Sequence, residues 1–133
     1  MQSLRDLLEE IGRDSGVRTS LSVEGSPYSL YPSQDLILYK NAREALSNAL
    51  KHGQPHEVQI TMEYNLDYIV MRVMNDGTVP SHLGEIDLNQ HKGLGVSGMK
   101  ERCQLAGGSL SFKLDPHFTV ITTLPITKPP EIS

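Results

Sequence analysis

Two segments, ending and beginning forty residues apart at Gly53 and Gly93, set the tightest limits on this chain. The first reads Arg43-Glu44-Ala45-Leu46-Ser47-Asn48-Ala49-Leu50-Lys51-His52-Gly53. The second reads Gly93-Leu94-Gly95-Val96-Ser97-Gly98-Met99-Lys100-Glu101-Arg102. The spacing of the first predicts a helix with a polar chemical face. The second is a glycine loop that runs into a helix.

Composition narrows the class around these motifs. At 133 residues the chain is long enough for one domain with one continuous core. A net charge of -4 with no basic cluster argues against nucleic acid as the main partner. Cys103 is the only cysteine, so no disulfide framework forms within the chain, and no Cys/His spacing suggests zinc. No apolar run approaches the roughly 18 residues that a membrane span needs, and the N-terminus does not read as a signal peptide. A cytoplasmic domain is expected, with the membrane anchorage of any parent protein left open. The chain has no Trp and only two Phe, so its core is expected to be aliphatic.

Helical spacing of Leu4, Leu7, Leu8 and Ile11 predicts a first helix, stopped at Gly12 or Gly16. Val17, Thr19, Leu21 and Val23 alternate as in a strand, up to the Gly25-Ser26-Pro27 turn. Pro32-Ser33 opens a long helix, with Ser33 expected as its cap and Gly53 near its end. Val58, Ile60 and Met62 alternate, as do Ile69, Met71 and Val73, and the Asn65-Leu66-Asp67 turn joins them as a hairpin. Residues 77–94 are polar and aperiodic and read as a mobile loop. A helix with Val96, Met99, Cys103 and Ala106 on one face follows, then Gly107-Gly108. Leu110, Phe112 and Leu114 form a strand, and 118–125 the last one. This order favours an α/β sandwich whose mixed sheet is covered by helices on one face. The Pro129-Pro130 end is expected to be disordered.

At about 100° per residue, Ala42, Ala45, Leu46, Ala49 and Leu50 share one side of the long helix. Glu44, Asn48, Lys51 and His52, with Asn41, are expected on the opposite side in a narrow arc. Those types suit phosphate chemistry. Asn48 offers a neutral oxygen to a hard cation such as Mg²⁺, which keeps several waters and shares substrate phosphates. Glu44 can hold and polarise a water or hydroxyl, and Lys51 and His52 bring positive charge. Taken alone, the arc also fits an ordinary solvated face.

Seven of the eleven glycines lie between Gly77 and Gly108. Gly93, Gly95 and Gly98 precede a helix whose first turn offers free N–H groups to an anion. Three familiar patterns compete for this stretch. The dinucleotide fingerprint, with Asp115 as its ribose acid, needs a buried strand where Asn89-Gln90-His91-Lys92 stands. A Walker-type loop lacks its Gly-Lys-Ser/Thr, and a hydrolase elbow would need glycine at Met99, so Ser97 is not read as a nucleophile. Between the motifs, Met74-Asn75-Asp76-Gly77 ends an apolar strand, and its amide or carboxylate can accept the exocyclic amine of adenine. Polar-faced helix, hairpin ending in an acid-Gly turn, loop and glycine-rich helix start together describe a site for a nucleoside triphosphate and its metal.

In these residues the chain resembles the ATP-binding catalytic domain of two-component sensor histidine kinases, in the class of nitrate-sensor and lipid-desaturase-sensor kinases. The wider family includes gyrase, heat-shock chaperone and mismatch-repair ATPases of the Bergerat fold. The resemblance covers about 33–126 and is strongest at Leu38-Tyr39-Lys40, 44–52, 93–102, Leu105-Ala106-Gly107-Gly108 and Leu124-Pro125. It implies a two-layer α/β sandwich with a mixed, mostly antiparallel sheet. It also implies that Asn48 coordinates Mg²⁺, that Glu44 acts near the γ-phosphate, and that Lys51 and His52 touch phosphates. Asn75, Asp76 and Gly77 would face adenine, while Gly93, Leu94, Gly95, Val96, Gly98 and Met99 would form the end of an ATP lid and the helix start.

The same resemblance implies partners. The phosphoacceptor in this class is a histidine on a separate dimerisation helix, and a response regulator receives the phosphoryl group from the full-length kinase. His56-Glu57 has the letters of an acceptor but follows Pro55 and opens a strand, so it reads as structural. Residues 1–16 are taken as the tail of a linker from the dimerisation domain, 17–127 as the catalytic domain and 128–133 as a disordered end. Three departures stand out. Asn75 occupies the place of the adenine-reading carboxylate, Val79 replaces the second glycine of that turn, and His117-Phe118 replaces a Gly-Thr pair. An anti-sigma-type serine kinase of the same fold and a non-catalytic docking module are the alternatives.

Overall fold

The computed structural model describes residues 3–77, 96–114 and 116–126, with the side chains of all but Val96 and Ser97. The loop expected beyond Gly77, with Val79, Gly93, Leu94 and Gly95, lies outside these residues, as do Asp115 and the tail at 128–133.

The helical spacing near the start folds as α1 (Leu4–Ser15), capped where the Ser3 hydroxyl accepts from the Asp6 amide at 3.1 Å. Gly16, at φ 75°, ends it in the left-handed region that glycine enters without a steric penalty. β1 (Arg18–Glu24) leads to α2 (Pro32–His52), then β2 (Glu57–Tyr64) and β3 (Tyr68–Asn75) form the hairpin. α3 (Val96–Leu105), β4 (Ser109–Lys113) and β5 (Phe118–Pro125) follow. Two expectations move slightly. The cap of α2 is Tyr31 rather than Ser33, because Pro32 takes the first helical position, where its missing N–H costs nothing. The Gln34 side chain then accepts from the Tyr31 amide at 3.1 Å. Leu114 falls just past β4 and is 44% exposed.

The strands lie in the order β1-β2-β3-β5-β4. β1 runs parallel to β2 and every other pairing is antiparallel. Alternation then separates two faces. Val58, Ile60, Met62, Ile69, Met71, Val73, Val120 and Leu124 share the buried face, against Leu38, Ala42, Ala45 and Leu46 of α2 and Met99 of α3. Burial of each large apolar side chain contributes about 1.5–3 kcal/mol, so this layer dominates the favourable side of folding. Leu7 and Leu8 bring α1 into the same core. The other face is polar and carries the Arg72–Glu63 ion pair at 3.2 Å. Among the described residues no helix is long and apolar enough to cross a membrane.

Candidate functional site

The site is a corner where the C-terminal half of α2 meets the ends of β3 and α3. Its geometry begins with a contact between two backbones. A Cβ on Gly77 would lie 2.3 Å from the Gly53 carbonyl oxygen, closer than any real Cβ comes. Only glycine lets the chain leave β3 flush against the end of α2. Asn48 lies five residues before Gly53, about 7.5 Å along the helix at 1.5 Å per residue. The contact therefore fixes the end of α2, and with it the height of Asn48, against the Asn75-Asp76-Gly77 turn.

Asn41 corrects the expected polar arc. It is 0% exposed and belongs to the buried side of α2, not to the opposite face. Its Nδ2 donates to Thr122 Oγ1 at 3.1 Å and to Cys103 Sγ at 3.3 Å, and its Oδ1 accepts from Arg102 at 3.0 Å. The amide thus uses its polar atoms to tie α2 to β5 and α3. Burial raises the Cys103 thiol above its ordinary pKa, against the Asn41 bond and the nearby Arg102 charge.

Glu44 flanks this buried sector one turn along. Its Oε1 accepts a hydrogen bond from the Arg102 guanidinium, an ion pair in which both side chains are mostly covered. Its Oε2 is buried and has no hydrogen-bond partner among the described residues. A buried carboxylate oxygen without a partner is costly, and any donor reaching it would relieve that cost. Arg102 carried no role in the sequence reading. Its only signal there was a basic residue at the end of the glycine-loop helix. Asn48 is half-buried beside Glu44, while Lys51 and His52 are exposed at the end of α2.

The acid-Gly turn divides its labour. Asn75 is 7% exposed, and its Oδ1 accepts from the Gly77 amide at 2.9 Å. Asp76 faces away from that task. Its Oδ1 accepts from the His56 and Glu57 amides at 2.8 and 2.9 Å, which pins the entry of β2. The Glu57 amide, aided by that of His56, holds the Asp76 carboxyl below its ordinary pKa against partial desolvation. His56 itself is held by its backbone between Asp76 and the Arg18 amide, on no helix, in line with its structural reading. In α3, Gly98 is half-buried, a Cβ there would lie 3.6 Å from the Arg102 guanidinium, and Met99 is 1% exposed in the core. Of the predicted site residues, Glu44 is tied to Arg102, Asn75 and Gly77 share one turn against the end of α2, Asp76 is turned to β2 and Met99 is sunk in the core.

Among the described residues no group of three His, Cys, Asp or Glu side chains could hold a metal ion. A hard cation at this corner would take most of its oxygens from phosphates and water, which is how Mg²⁺ is usually held.

Known proteins match this architecture. The profile described as "Histidine kinase-, DNA gyrase B-, and HSP90-like ATPase" matches residues 34–128. The signal transduction histidine-protein kinase/phosphatase DegS of Bacillus subtilis is 33% identical over 82 residues, 62% of this chain and 21% of that protein. The sensor histidine kinase LnrJ of Bacillus subtilis is 30% identical over 122 residues, 90% of this chain and 29% of that protein. The chain thus spans under a third of the length of either relative. The ATP-binding domain of PrrB from Mycobacterium tuberculosis superposes with a TM-score of 0.64 at 23% identity, covering 96% of each chain. That identity speaks to the fold alone. With a five-stranded mixed sheet under helices and a family profile spanning most of its length, the chain belongs to the histidine kinase-, DNA gyrase B- and HSP90-like ATPase family.

Proposed function

We propose that this chain is the phosphoryl-donor domain of a cytoplasmic sensor histidine kinase module. It binds Mg-ATP and gives the γ-phosphoryl group to a histidine on a separate dimerisation helix, from which a response regulator takes it. The observation that carries this reading is the Glu44 carboxylate, one turn before Asn48, clamped by Arg102 through one oxygen while its other oxygen is buried and has no partner among the described residues. The sequence relatives favour the histidine kinase over a serine kinase, since DegS and LnrJ are both named as histidine kinases.

In this reading Asn48 orients the metal, and Lys51 and His52 meet phosphate charge. Mg²⁺, when bound, neutralises the phosphate oxygens. Glu44 Oε2 accepts a hydrogen bond from the N–H of the acceptor imidazole, whose other, unprotonated nitrogen approaches the γ-phosphorus, and takes that proton as the new bond forms, while Arg102 prevents the carboxylate from turning away. During transfer the bond from the γ-phosphorus to the bridging oxygen breaks, a bond to an imidazole nitrogen forms, and ADP leaves. Catalysis by such a site is mostly positioning and charge stabilisation. Calorimetric titration with ATP, with and without Mg²⁺, tests the first step. Binding that Mg²⁺ strengthens supports the reading, and absence of binding at millimolar ATP would refute it.

A further inference from the structure

Of the buried residues of α2, which are Leu38, Asn41, Ala42, Ala45, Leu46 and Ala49, only Asn41 is polar. A buried amide has to satisfy its polar atoms, and those of Asn41 point in two fixed directions. Arg102 carries donors only, so the atom that faces it is the amide oxygen, and Nδ2 is left to Thr122 Oγ1 and Cys103 Sγ. Thr122 and Cys103 are both fully buried, which fixes the nitrogen side of the amide in the core. The oxygen side then meets Arg102 Nη1 at 3.0 Å. The second arm of the guanidinium, Nη2, goes to Glu44 Oε1. A guanidinium fork beside a carboxylate frequently gives one arm to each oxygen. Here Asn41 takes one of those arms, and Glu44 Oε2 stays buried without a partner among the described residues.

We propose that Asn41 is a positioning residue that diverts one arm of Arg102 and so keeps Glu44 Oε2 open to the reacting proton. The proposal rests on the reading above, in which Oε2 takes the proton of the acceptor imidazole. Without the Asn41 oxygen, Nη1 loses its buried acceptor, and Oε2 is the unpartnered oxygen on the carboxylate that Nη2 already holds. The fork then closes on both carboxylate oxygens. Glu44 is still steadied, but the oxygen that has to receive the proton is occupied. Asn41 thus sets how Arg102 holds Glu44, and it touches neither nucleotide nor acceptor in this scheme.

The test measures phosphoryl transfer from Mg-ATP to a dimerisation-helix fragment bearing the acceptor histidine, for Asn41→Leu in the wild-type and Arg102→Ala backgrounds. Leucine copies the shape of the amide without its acceptor. A positioned base contributes about 10²–10⁴-fold, and partial loss of its oxygen should lower kcat about tenfold with KM for ATP unchanged. In the Arg102→Ala background the same substitution should change nothing further, because no guanidinium remains to close on Glu44. Asn41→Asp keeps an acceptor for Nη1 and should transfer near the wild-type rate. Asn41→Ala cannot overfill the site and carries the same prediction where the leucine variant folds poorly. Wild-type kcat in both variants overturns the proposal and leaves the nucleotide site standing. An equal fall in both backgrounds, or a fall carried by KM, also overturns it and assigns Asn41 to packing alone. No transfer by the wild-type chain removes the reading of Glu44 and this proposal with it.

Discussion

Arg102 in the last turn of α3 grips a Glu44 carboxylate oxygen and the Asn41 amide oxygen at once, and so locks two helix faces around one site side chain. The guanidinium fork makes this possible, because it presents several donors in one plane. Removing it in Arg102→Ala leaves a mostly covered carboxylate without its partner. The expected loss is about 1–3 kcal/mol of stability. A lower urea midpoint checks this, together with a phosphoryl-transfer rate that falls more than nucleotide affinity does. Arg102→Lys keeps the charge but not the fork, and should fall between the wild type and the alanine variant. Wild-type stability in Arg102→Ala would show that the pair contributes nothing.

Gly77→Ala tests the corner itself. The added Cβ would sit 2.3 Å from the Gly53 carbonyl oxygen, and backbone on both sides leaves little room to yield. Overpacking of this kind costs about 1–3 kcal/mol. Thermal unfolding should begin earlier, and nucleotide affinity should fall because α2 is pushed off the end of β3. An alanine variant with unchanged melting and unchanged binding would mean that the two backbones do not need this approach.

Asp76 predicts a pH dependence. Its folded pKa is depressed, chiefly by the Glu57 amide and then by that of His56, so the folded state binds fewer protons than the unfolded chain near its titration. The stabilisation is therefore present above the unfolded value of about 3.9 and is lost as pH falls through the lower folded value. Asp76→Asn should lower stability at pH 7 by about 1 kcal/mol. The gap between wild type and variant should close below about pH 4. Melting curves of both proteins from pH 7 to acid check the sign, and a gap that persists undiminished into acid would contradict it.

Much of this architecture was legible because each strand states its faces locally. Val58, Ile60 and Met62 alternate with polar residues, and the register confirms their shared face with Ile69, Met71 and Val73. Asn41 was not legible. A polar residue beside an apolar stripe reads as surface, and its partners Arg102, Cys103 and Thr122 lie 61, 62 and 81 residues away. The same distance in sequence hid the Arg102–Glu44 clamp. Asp76 is a subtler case, since nothing local tells a site carboxylate from one that caps the backbone of a neighbouring strand. The parallel β1–β2 pairing, across the whole of α2, is likewise a tertiary choice.

Asn48→Ala should separate metal from nucleotide. With its side-chain oxygen gone, the gain in nucleotide affinity on adding Mg²⁺ should shrink, or phosphoryl transfer should be abolished. Titration with and without Mg²⁺ reads the first effect, and transfer to the acceptor helix reads the second. Full metal dependence together with normal transfer would remove Asn48 from the metal site.

The central claim is that this chain donates a phosphoryl group to a histidine it does not itself carry. The most direct test mixes the purified chain with Mg²⁺, γ-labelled ATP and a separate dimerisation-helix fragment bearing the acceptor. The account predicts no stable label on the chain alone, and label on the fragment that survives alkali but is lost in acid, as a nitrogen–phosphorus bond requires. Stable label on His56 of the isolated chain, or acid-stable label on a serine of a partner, would contradict it.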